Sequence, residues 1–503
     1  MSPTLIDDTV KAILTSRVYD VAVETPLERA TKLSLDFGTN VYLKREDLQS
    51  VHSFKLRGAY NKIVQLTETE RAKGVIAASA GNHAQGVALA AQKLGITALI
   101  VMPRTTPGIK IDAVKSYGAA VELAGDSYSD AAEYCKLRIK ETGRIYIHPF
   151  DDPLVIAGQG TIGREILEQL SDVTHIFVPV GGGGLLAGVA SYVKALRPDV
   201  RVISVEPEDS NAMQASMQQR KRVVLSHVGI FADGVAVKQV GSSAYEVALH
   251  KVDDFITVTT DQMCAAIKGI FEDTRSIVEP AGALAVAGIA KYDLPENARA
   301  VAICSGANMP FERLQQVAER TLFGSGREAM FAVTIPEEPG SLHSFCSQVV
   351  SSHNISELNY RIDQQNAARI VIGITVSNEA DKRVIMEKMQ TFGYAYEDLT
   401  NNELAKEHVR HMIGGHARHT VQEHVYEMTF PERPRALADF LRDAGSTWNI
   451  SLFHYKSGAS DSASVLIGFE TAGNKQGLER QLRHAAFAFK RVDSDASVQA
   501  FVL

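Results

Sequence analysis

One lysine in the stretch SFKLRGA is the first candidate for chemistry in this chain. Lys55 follows the aromatic Phe54, and Arg57 and Gly58 come soon after it. Most lysines are solvated surface charges, but an amine enclosed in an apolar cleft loses its proton more readily and becomes a nucleophile. Which of the two Lys55 is depends on the loops that the fold places around it.

Three further loops could supply those surroundings, because each follows a predicted strand. They are SAGNHAQG after VIAA, GGGG (Gly181–Gly184) after HIFVPV, and CSGAN after VAI. Four consecutive glycines before the helical run LLAGVASYVKAL expose backbone N–H groups at a helix N-terminus, which is a favourable phosphate site. A phosphate-bearing cofactor bound to a lysine would use all four stretches.

The glycine loop also permits two other interpretations. Gly182–Ala187 matches GxGxxA, and Glu206 ends the next strand about where a nicotinamide enzyme places its ribose-binding acid. The loop could also be a tight structural turn without a ligand. The nicotinamide hypothesis leaves SFKLRGA and SAGNH without a role, so we prefer the lysine-bound cofactor.

An α/β fold must position these loops. From Val41 to Leu322, segments of helical period such as DPLVIAGQGTIGREILEQL alternate with short apolar runs, and the predicted strands are VYLKRE, VIAAS, TALIVMP, AAVELAG, IYIHP, HIFVPV, RVISVEP and VAICSG. This alternation predicts largely parallel sheets covered on both faces. Catalytic groups are then expected in loops at the carboxyl ends of the strands.

Beyond the GSG joint at Gly324–Gly326 the chain repeats itself. Residues 331–361 and 426–456 align without a gap at an offset of 95, with 11 identities in 31 positions. Each copy is predicted as strand, Pro-containing loop, amphipathic helix and strand, followed by a further apolar strand. We therefore expect a domain at 1–323 and a second at 324–503, built from modules at 331–403 and 426–503. A duplicated tail without a ligand is the alternative for the second domain.

The composition favours a cytoplasmic protein with small-molecule partners. The formal charge of -7 over 503 residues, without a long run of one sign, predicts no nucleic-acid or anionic membrane surface. The four cysteines are far apart and suggest neither a disulfide framework nor a zinc site. The N-terminal MSPTLIDDTVKAIL has two aspartates where a signal peptide would have basic residues, and no apolar run is long enough to span a membrane, so we expect neither secretion nor a membrane span.

Taken in order, SFKLRGA, SAGNHAQG, GGGGL and CSGAN resemble the fold-type II pyridoxal-phosphate enzymes, and most closely the biosynthetic threonine deaminases. The resemblance covers the whole chain, since that family carries two C-terminal ACT-like regulatory subdomains. It implies pyridoxal 5'-phosphate as cofactor and Lys55 as its Schiff-base lysine. It also implies that Asn82 bonds the phenolic oxygen, that Phe54 packs against the ring and that Ser305 faces the pyridine nitrogen. The phosphate would bind the N–H groups of Gly181, Gly182, Gly183, Gly184 and Leu185.

A serine at position 305 bears on the type of reaction. A carboxylate there would keep the pyridine nitrogen protonated and suit transamination, whereas a hydroxyl leaves it neutral and favours β-elimination. L-Threonine would then give 2-oxobutanoate and ammonia, and L-serine would give pyruvate, with the freed Lys55 amine removing the Cα proton. The substrate carboxylate is expected in the loop formed by Ser79, Ala80, Gly81, Asn82 and His83.

Other reactions of the same cofactor class remain as alternatives. Related racemases have a serine at the position of Ala80, so racemisation is disfavoured, and a β-replacing synthase is a further possibility. The acidic stretch EPEDSNAM (206–213) does not match a cation site cleanly, and we assign no metal. A regulator that binds amino acids without catalysis would not need Lys55, Asn82 and Ser305 together.

The repeat suggests where control could occur. Each copy ends in a tyrosine and a basic residue, Tyr360-Arg361 and Tyr455-Lys456, and Arg410 lies in the joining segment. An aromatic ring and a cation between subdomains suit an apolar amino acid with a carboxylate. The resemblance implies isoleucine as feedback inhibitor, valine as opposing effector, and a homotetramer.

Overall fold

The computed structural model describes residues 3–336, 344–350, 353, 355–362, 367–411, 423–431, 440, 448–456, 462–471, 473–484 and 488–502. It divides into two compact units, Met1–Ala318 and Glu319–Leu503. In the described part of the chain, no helix combines the length and the apolar character that a membrane crossing needs.

The first unit contains two sheets of mostly parallel strands. Their order is β1-β2-β10-β7-β8-β9 in the larger sheet and β5-β4-β3-β6 in the smaller one. Only β1 runs antiparallel to its neighbour, β2. The strands are β1 (Leu27–Arg29), β2 (Asn40–Arg45), β3 (Val75–Ala78), β4 (Ala98–Met102), β5 (Ala120–Leu123), β6 (Ile145–Tyr146), β7 (His175–Pro179), β8 (Arg201–Pro207), β9 (Asp254–Val258) and β10 (Arg299–Cys304).

Helices connect these strands and cover the sheets. They are α1 (Pro3–Leu14), α2 (Thr31–Phe37), α3 (Lys55–Ile63), α4 (Glu68–Lys73), α5 (Asn82–Leu94), α6 (Gly108–Ser116), α7 (Tyr128–Thr142), α8 (Pro153–Gln169), α9 (Gly184–Leu196), α10 (Ala212–Gln219), α11 (Ser242–Lys251), α12 (Thr260–Thr274), α13 (Pro280–Lys291) and α14 (Arg313–Gly324). Short 3-10 turns lie at Val18–Asp20, Glu46–Leu48 and Asp233–Val235.

Local sequence explains where several helices begin. Thr67 and Glu70 form a capping box on α4, as do Ser127 and Asp130 on α7. These side chains satisfy backbone N–H groups that have no partner in the first helical turn. Asp152 caps α8 in the same way, and the fixed backbone angle of the following Pro153 suits the first helical position.

A pair of glycines sets the spacing between α3 and α8. A Cβ on Gly158 would lie 2.6 Å from the Cα of Gly58, and one on Gly58 would lie 2.7 Å from the carbonyl oxygen of Val155. Both distances are shorter than real carbon contacts allow, so the two backbones touch. Gly58 of SFKLRGA therefore permits the helix that begins at Lys55 to pack directly on α8.

The second unit contains two four-stranded antiparallel sheets, ordered β12-β13-β11-β14 and β16-β17-β15-β18. The strands are β11 (Glu328–Pro336), β12 (Ile355–Ile362), β13 (Ala367–Thr375), β14 (Ala395–Asp398), β15 (Glu423–Pro431), β16 (Asn449–Lys456), β17 (Ser462–Glu470) and β18 (Ala488–Arg491). Among the described residues of this unit, the helices are α15 (Glu379–Thr391), α16 (Glu403–Glu407), α17 (Lys475–His484) and α18 (Ala496–Phe501), with a π-helical turn at Cys346–Val350 and a 3-10 turn at Val409–His411. The amphipathic helix predicted in each repeat lies mostly outside the described residues.

The two sheets repeat each other in detail. β11 and β15 begin 95 residues apart, as do β13 and β17. An irregularity in β12 between Ile355 and Glu357 recurs in β16 between Ile450 and Leu452, again 95 residues on. β-Bulges are specific features of a strand and are not random irregularities. Their shared position shows that the repeat is present in the structure as well as in the sequence.

Candidate active site

Five loops meet where parallel strands of the first unit end. Four of them follow β2, β3, β7 and β10, the last three as the sequence predicted, and the fifth follows β6. The first and fourth are joined directly: Ser53 pairs with Gly306, and the N–H of Phe54 donates to the carbonyl of Ser305 at 3.2 Å. SFKLRGA and CSGAN are therefore neighbours in space, although some 250 residues separate them along the chain.

Lys55 stands at the first position of α3 and is half-buried. Its Nζ donates to the carbonyl oxygen of Pro149 at 3.0 Å and lies 5.2 Å from the centre of the Phe54 ring. Burial lowers the pKa of Lys55 to about 8, and the carboxylate of Glu279 opposes that change. The amine therefore loses its proton far more readily than an exposed lysine, as a nucleophile requires.

The glycine loop lies against Phe150, the residue after Pro149, whose carbonyl accepts the hydrogen bond from Lys55. A Cβ on Gly182 would fall 2.2 Å from the ring of Phe150, and one on Gly184 would fall 2.6 Å from its carbonyl oxygen. Gly183 has a φ of 90°, which favours glycine. The N–H groups of residues 181–185 find no acceptor among the described residues, and α9 begins there. These N–H groups at the start of a helix can bind an anion.

Asn82 begins α5 and lies within a ring of polar groups. Its Nδ2 donates to Oε1 of Glu279 at 2.6 Å, and its Oδ1 accepts from Nδ2 of Asn308 at 2.6 Å. Burial raises the pKa of Glu279 to about 7, with Asp233 adding to the rise and Lys110 opposing it. Lys110 itself pairs with Asp233 at 2.6 Å. A carboxyl group that titrates near neutrality is a mark of functional sites.

Ser305 is buried at the end of β10 and donates to the carbonyl of Ala281 at 3.2 Å. That distance is long for a hydroxyl donor, so the hydroxyl can turn toward another acceptor at low cost.

The loop from Ser79 to His83 is half-buried up to Asn82. The N–H of Gly81 donates to the hydroxyl oxygen of Ser79 at 3.3 Å, and a Cβ on Gly81 would meet no atom within 4 Å. His83 is buried and pairs through Nε2 with the carbonyl of Ile147 at 2.8 Å, while its Nδ1 has no partner in the described part of the protein. Burial, assisted by Lys55, lowers the pKa of His83 to about 3, so the ring is neutral.

Sequence reasoning missed Glu279 and His148. His148 follows β6, and its Nδ1 accepts from the N–H groups of Phe150 and Asp151 at 3.2 and 2.8 Å. The carboxyl-end rule that selected the other loops would also have selected this histidine. Glu279 directly precedes Pro280 at the start of α13, where an acid ordinarily caps a helix, so its pattern gave no sign of the site.

Glu206, the acid of the nicotinamide alternative, has a structural role here. Its two carboxylate oxygens accept from the N–H groups of Met213 and Gln214, both at 2.8 Å. Burial raises the pKa of Glu206 to about 8, and these two bonds act against the rise. The carboxylate holds the start of α10 instead of presenting free oxygens to a ribose.

Comparison with known proteins assigns this site to a family. Residues 18–306 match the model of the pyridoxal-phosphate dependent enzymes, and residues 319–409 and 414–502 match the C-terminal regulatory domain of threonine dehydratase. The biosynthetic L-threonine dehydratase IlvA of Burkholderia multivorans is 50% identical over 498 residues, which are 97% of this chain and 98% of that protein. The chain belongs to the biosynthetic threonine dehydratase family.

Other members and relatives agree with this assignment. The IlvA protein of Escherichia coli is 45% identical over 95% of this chain and 94% of its own. The solved processed form of threonine deaminase isoform 2 from Solanum lycopersicum is 49% identical, with a TM-score of 0.63 over 64% of this chain and 89% of that one. A maize serine racemase is 33% identical, with a TM-score of 0.58 over 63% of this chain and 97% of that one.

The donor set of this threonine dehydratase family member fits pyridoxal phosphate. The N–H groups of residues 181–185, which have no acceptor in the described part of the chain, suit the phosphate, and the readily deprotonated amine of Lys55 suits an aldehyde. Both lie against the segment Pro149–Phe150, which touches Lys55 through its first residue and the glycines through its second. The cofactor assignment made from the sequence is confirmed by the family match.

The regulatory unit of the dehydratase places the candidate effector residues on equivalent strands. Tyr360 is paired with Ile370 on β12, and Tyr455 with Val465 on β16. The side chains of these tyrosines, and those of Arg361 and Lys456, lie outside the described residues. Arg410 is described: it is buried, and its guanidinium stands 5.3 Å from the centre of the Phe323 ring.

Proposed function

We propose that this protein catalyses the dehydration and deamination of L-threonine to 2-oxobutanoate and ammonia, and also converts L-serine to pyruvate. The similarity to biosynthetic threonine dehydratases over nearly the whole chain supports the proposal. So does the half-buried amine of Lys55, whose pKa of about 8 suits both a nucleophile and a base.

Several residues of the site have a part in this reaction. Pyridoxal phosphate, when bound at this site, would supply the electron sink that acidifies the substrate Cα–H bond. The amine of Lys55, once the substrate amine has released it, would take that proton and hold it on Nζ. The N–H groups at the start of α5, with Ser79, bind the substrate carboxylate, and the neutral His83 supports that loop through the carbonyl of Ile147. Phe54 would pack on the cofactor ring, Asn82 would donate to its phenolic oxygen, and the Ser305 hydroxyl would face its nitrogen.

Replacement of the lysine tests the proposal. We expect Lys55→Ala to lose the visible absorption of the bound cofactor and the release of 2-oxo acid from threonine, while the chain still folds. Lys62→Ala is a matched control. Lys62 lies on the same helix but outside the site, and its amine forms an ion pair with the carboxylate of Asp152 at 2.9 Å. Normal turnover by Lys55→Ala would refute the assignment.

Racemisation is the competing reaction, because solved serine racemases share the catalytic fold at 33 and 32% identity. It needs an acid or base on the face of Cα opposite the lysine, and Ala80 offers none there. We expect negligible D-serine from L-serine, and a higher ratio of racemisation to elimination in Ala80→Ser. Chiral analysis of the serine pool measures both.

We further propose that the second unit binds isoleucine as an inhibitor and valine as an opposing effector, in a cytoplasmic homotetramer. The match to a regulatory domain and the equivalent strand positions of Tyr360 and Tyr455 support an amino-acid site there. An effector must bind one conformational state more tightly, and a coupling of ~1–3 kcal/mol changes affinity roughly 5- to 150-fold.

Inhibition curves test this proposal about control. Tyr360→Ala and Tyr455→Ala should leave maximal turnover near normal and weaken isoleucine inhibition, whereas the phenylalanine variants keep the ring and serve as controls. A chain ending near Gly324 should be insensitive to isoleucine. If a stable truncated chain were inhibited with unchanged potency, the effector site would lie in the first unit.

A further inference from the structure

Asn308, the last residue of CSGAN, has no role in the reaction described so far, but it donates a hydrogen bond to Asn82. Its Nδ2 donates to the carbonyl oxygen of Val51 at 2.7 Å. A carbonyl can only accept, so this bond fixes which end of the Asn308 amide carries the nitrogen. Val51 lies in the segment that leads to Lys55, and Ala307 donates to His52 beside it at 2.9 Å.

The orientation passes from Asn308 to Asn82. The second hydrogen on Nδ2 of Asn308 is donated to Oδ1 of Asn82 at 2.6 Å, so Oδ1 must be the end that faces Asn308. The opposite end, Nδ2, then faces Glu279 and donates one hydrogen to Oε1 at 2.6 Å. One hydrogen on Nδ2 of Asn82 remains for another acceptor.

We propose that Asn308 is a positioning residue that keeps the donor end of the Asn82 amide directed at the phenolic oxygen of the cofactor. This inference rests on the proposed function, because it takes the role of Asn82 from there. An amide turned by half a rotation would present Oδ1, an acceptor, to an oxygen that carries negative charge. In this proposal the carbonyl of Val51 orients the Asn308 amide, and the Asn308 amide in turn orients the Asn82 amide.

The alternative is that Asn308 only fills space, since its side chain is half-buried. Two substitutions separate orientation from packing, because they rank differently under the two explanations. Asn308→Asp keeps the shape but puts an acceptor against Oδ1 of Asn82, which favours the reversed amide. Asn308→Ala removes the donor and leaves a small cavity, but it imposes no orientation.

The measurement is titration of the cofactor-free protein with pyridoxal phosphate, followed by the visible absorption of the loaded protein across pH. A hydrogen bond to a charged oxygen contributes enough that we expect Asn308→Asp to weaken cofactor binding roughly 10- to 100-fold. Asn308→Ala should weaken it less, and only the aspartate variant should shift the pH dependence of the absorption. If the alanine variant were equal or worse, Asn308 would be a packing residue and the proposal would fall.

Asn61→Asp is the matched control, because Nδ2 of Asn61 also donates to a carbonyl, that of Leu154, at 2.7 Å. We expect it to lower the free energy of unfolding without changing the cofactor spectrum. A spectral change equal to that of Asn308→Asp would show a general effect of a buried carboxylate and overturn the proposal. If the wild-type protein bound no cofactor, the proposed function itself would fail, which is a separate outcome.

Discussion

Lys55 and Arg57 are two residues apart on α3, but their surroundings differ completely. The guanidinium of Arg57 is fully buried and bonds Glu46 at 2.8 Å and Glu165 at 2.5 and 3.0 Å. Lys44 completes this cluster with a 2.6 Å contact to Glu165. Lys55 has one carbonyl partner, Pro149, at 3.0 Å.

The difference shows how one helix can hold a structural charge and a reactive one. Burial acts to lower the pKa of Arg57, but Glu46 and Glu165 outweigh it and raise that pKa above its usual value. At Lys55 the balance is reversed, because burial is the larger effect and lowers the pKa to about 8. Two carboxylates fix the charge of Arg57, whereas a single carbonyl leaves Lys55 free to lose its proton.

The largest expected effect is on the paired cluster. Arg57→Met removes one cation and leaves two buried carboxylates with only Lys44, so we expect a loss of about 3–5 kcal/mol in the free energy of unfolding. Chemical denaturation of the purified variant measures it. A loss below ~1 kcal/mol would mean that water reaches the cluster, and the contrast with Lys55 would disappear.

A smaller effect of opposite sign is expected at Lys55. The cofactor-free Lys55→Met variant should be more stable than the wild type near pH 7 by about 1–2 kcal/mol, less than the full pKa change gives because the side chain is half-buried. Between about 8 and the ordinary 10.5 the unfolded chain binds more protons, so wild-type stability rises with pH. The advantage of the methionine should therefore fade across that range, and denaturation at several pH values tests this.

The smallest expected effect is at Glu168, an exposed residue on the same helix as the buried Glu165. Glu168 lies one turn after Arg164 on α8, at 2.8 Å, and half of its side chain is exposed. Glu165, on the same helix, belongs to the buried cluster. Glu168→Gln should cost at most ~0.5 kcal/mol, and Glu165→Gln several times more. Equal losses measured by denaturation would contradict burial as the cause.

Much of the first unit could be predicted from the sequence. All eight predicted strands are present, because each is a short apolar run between turn residues. Two strands were missed: β1 has only three residues, and the edge strand β9, DFITV, is only half-buried. Neither shows the continuous apolar pattern of a strand covered on both faces.

The candidate site was predictable only where one motif carried its own explanation. Lys55 and the glycine loop could be selected because four stretches occur together in the sequence, and the family resemblance supplied their expected roles. Glu279 and Asn308 could not, because their significance comes from Asn82, which lies 197 and 226 residues away along the chain. An acid before a proline reads as a helix cap, and an asparagine in a loop reads as a turn residue. Contacts of that separation are set by the whole fold.

The contact between the backbones at Gly58 and Gly158 sets how close Lys55, on α3, lies to α8. No side chain separates α3 from α8 at these glycines, so the two backbones touch, and Lys55 lies at the start of α3. A methyl group at either glycine would move the amine by a fraction of an ångström or more, and reactions depend on alignment at that scale. A stability assay would classify such a variant as a packing defect, whereas kinetics would classify it as an active-site variant. This pair of glycines therefore serves both the packing of the fold and the alignment of the catalytic lysine.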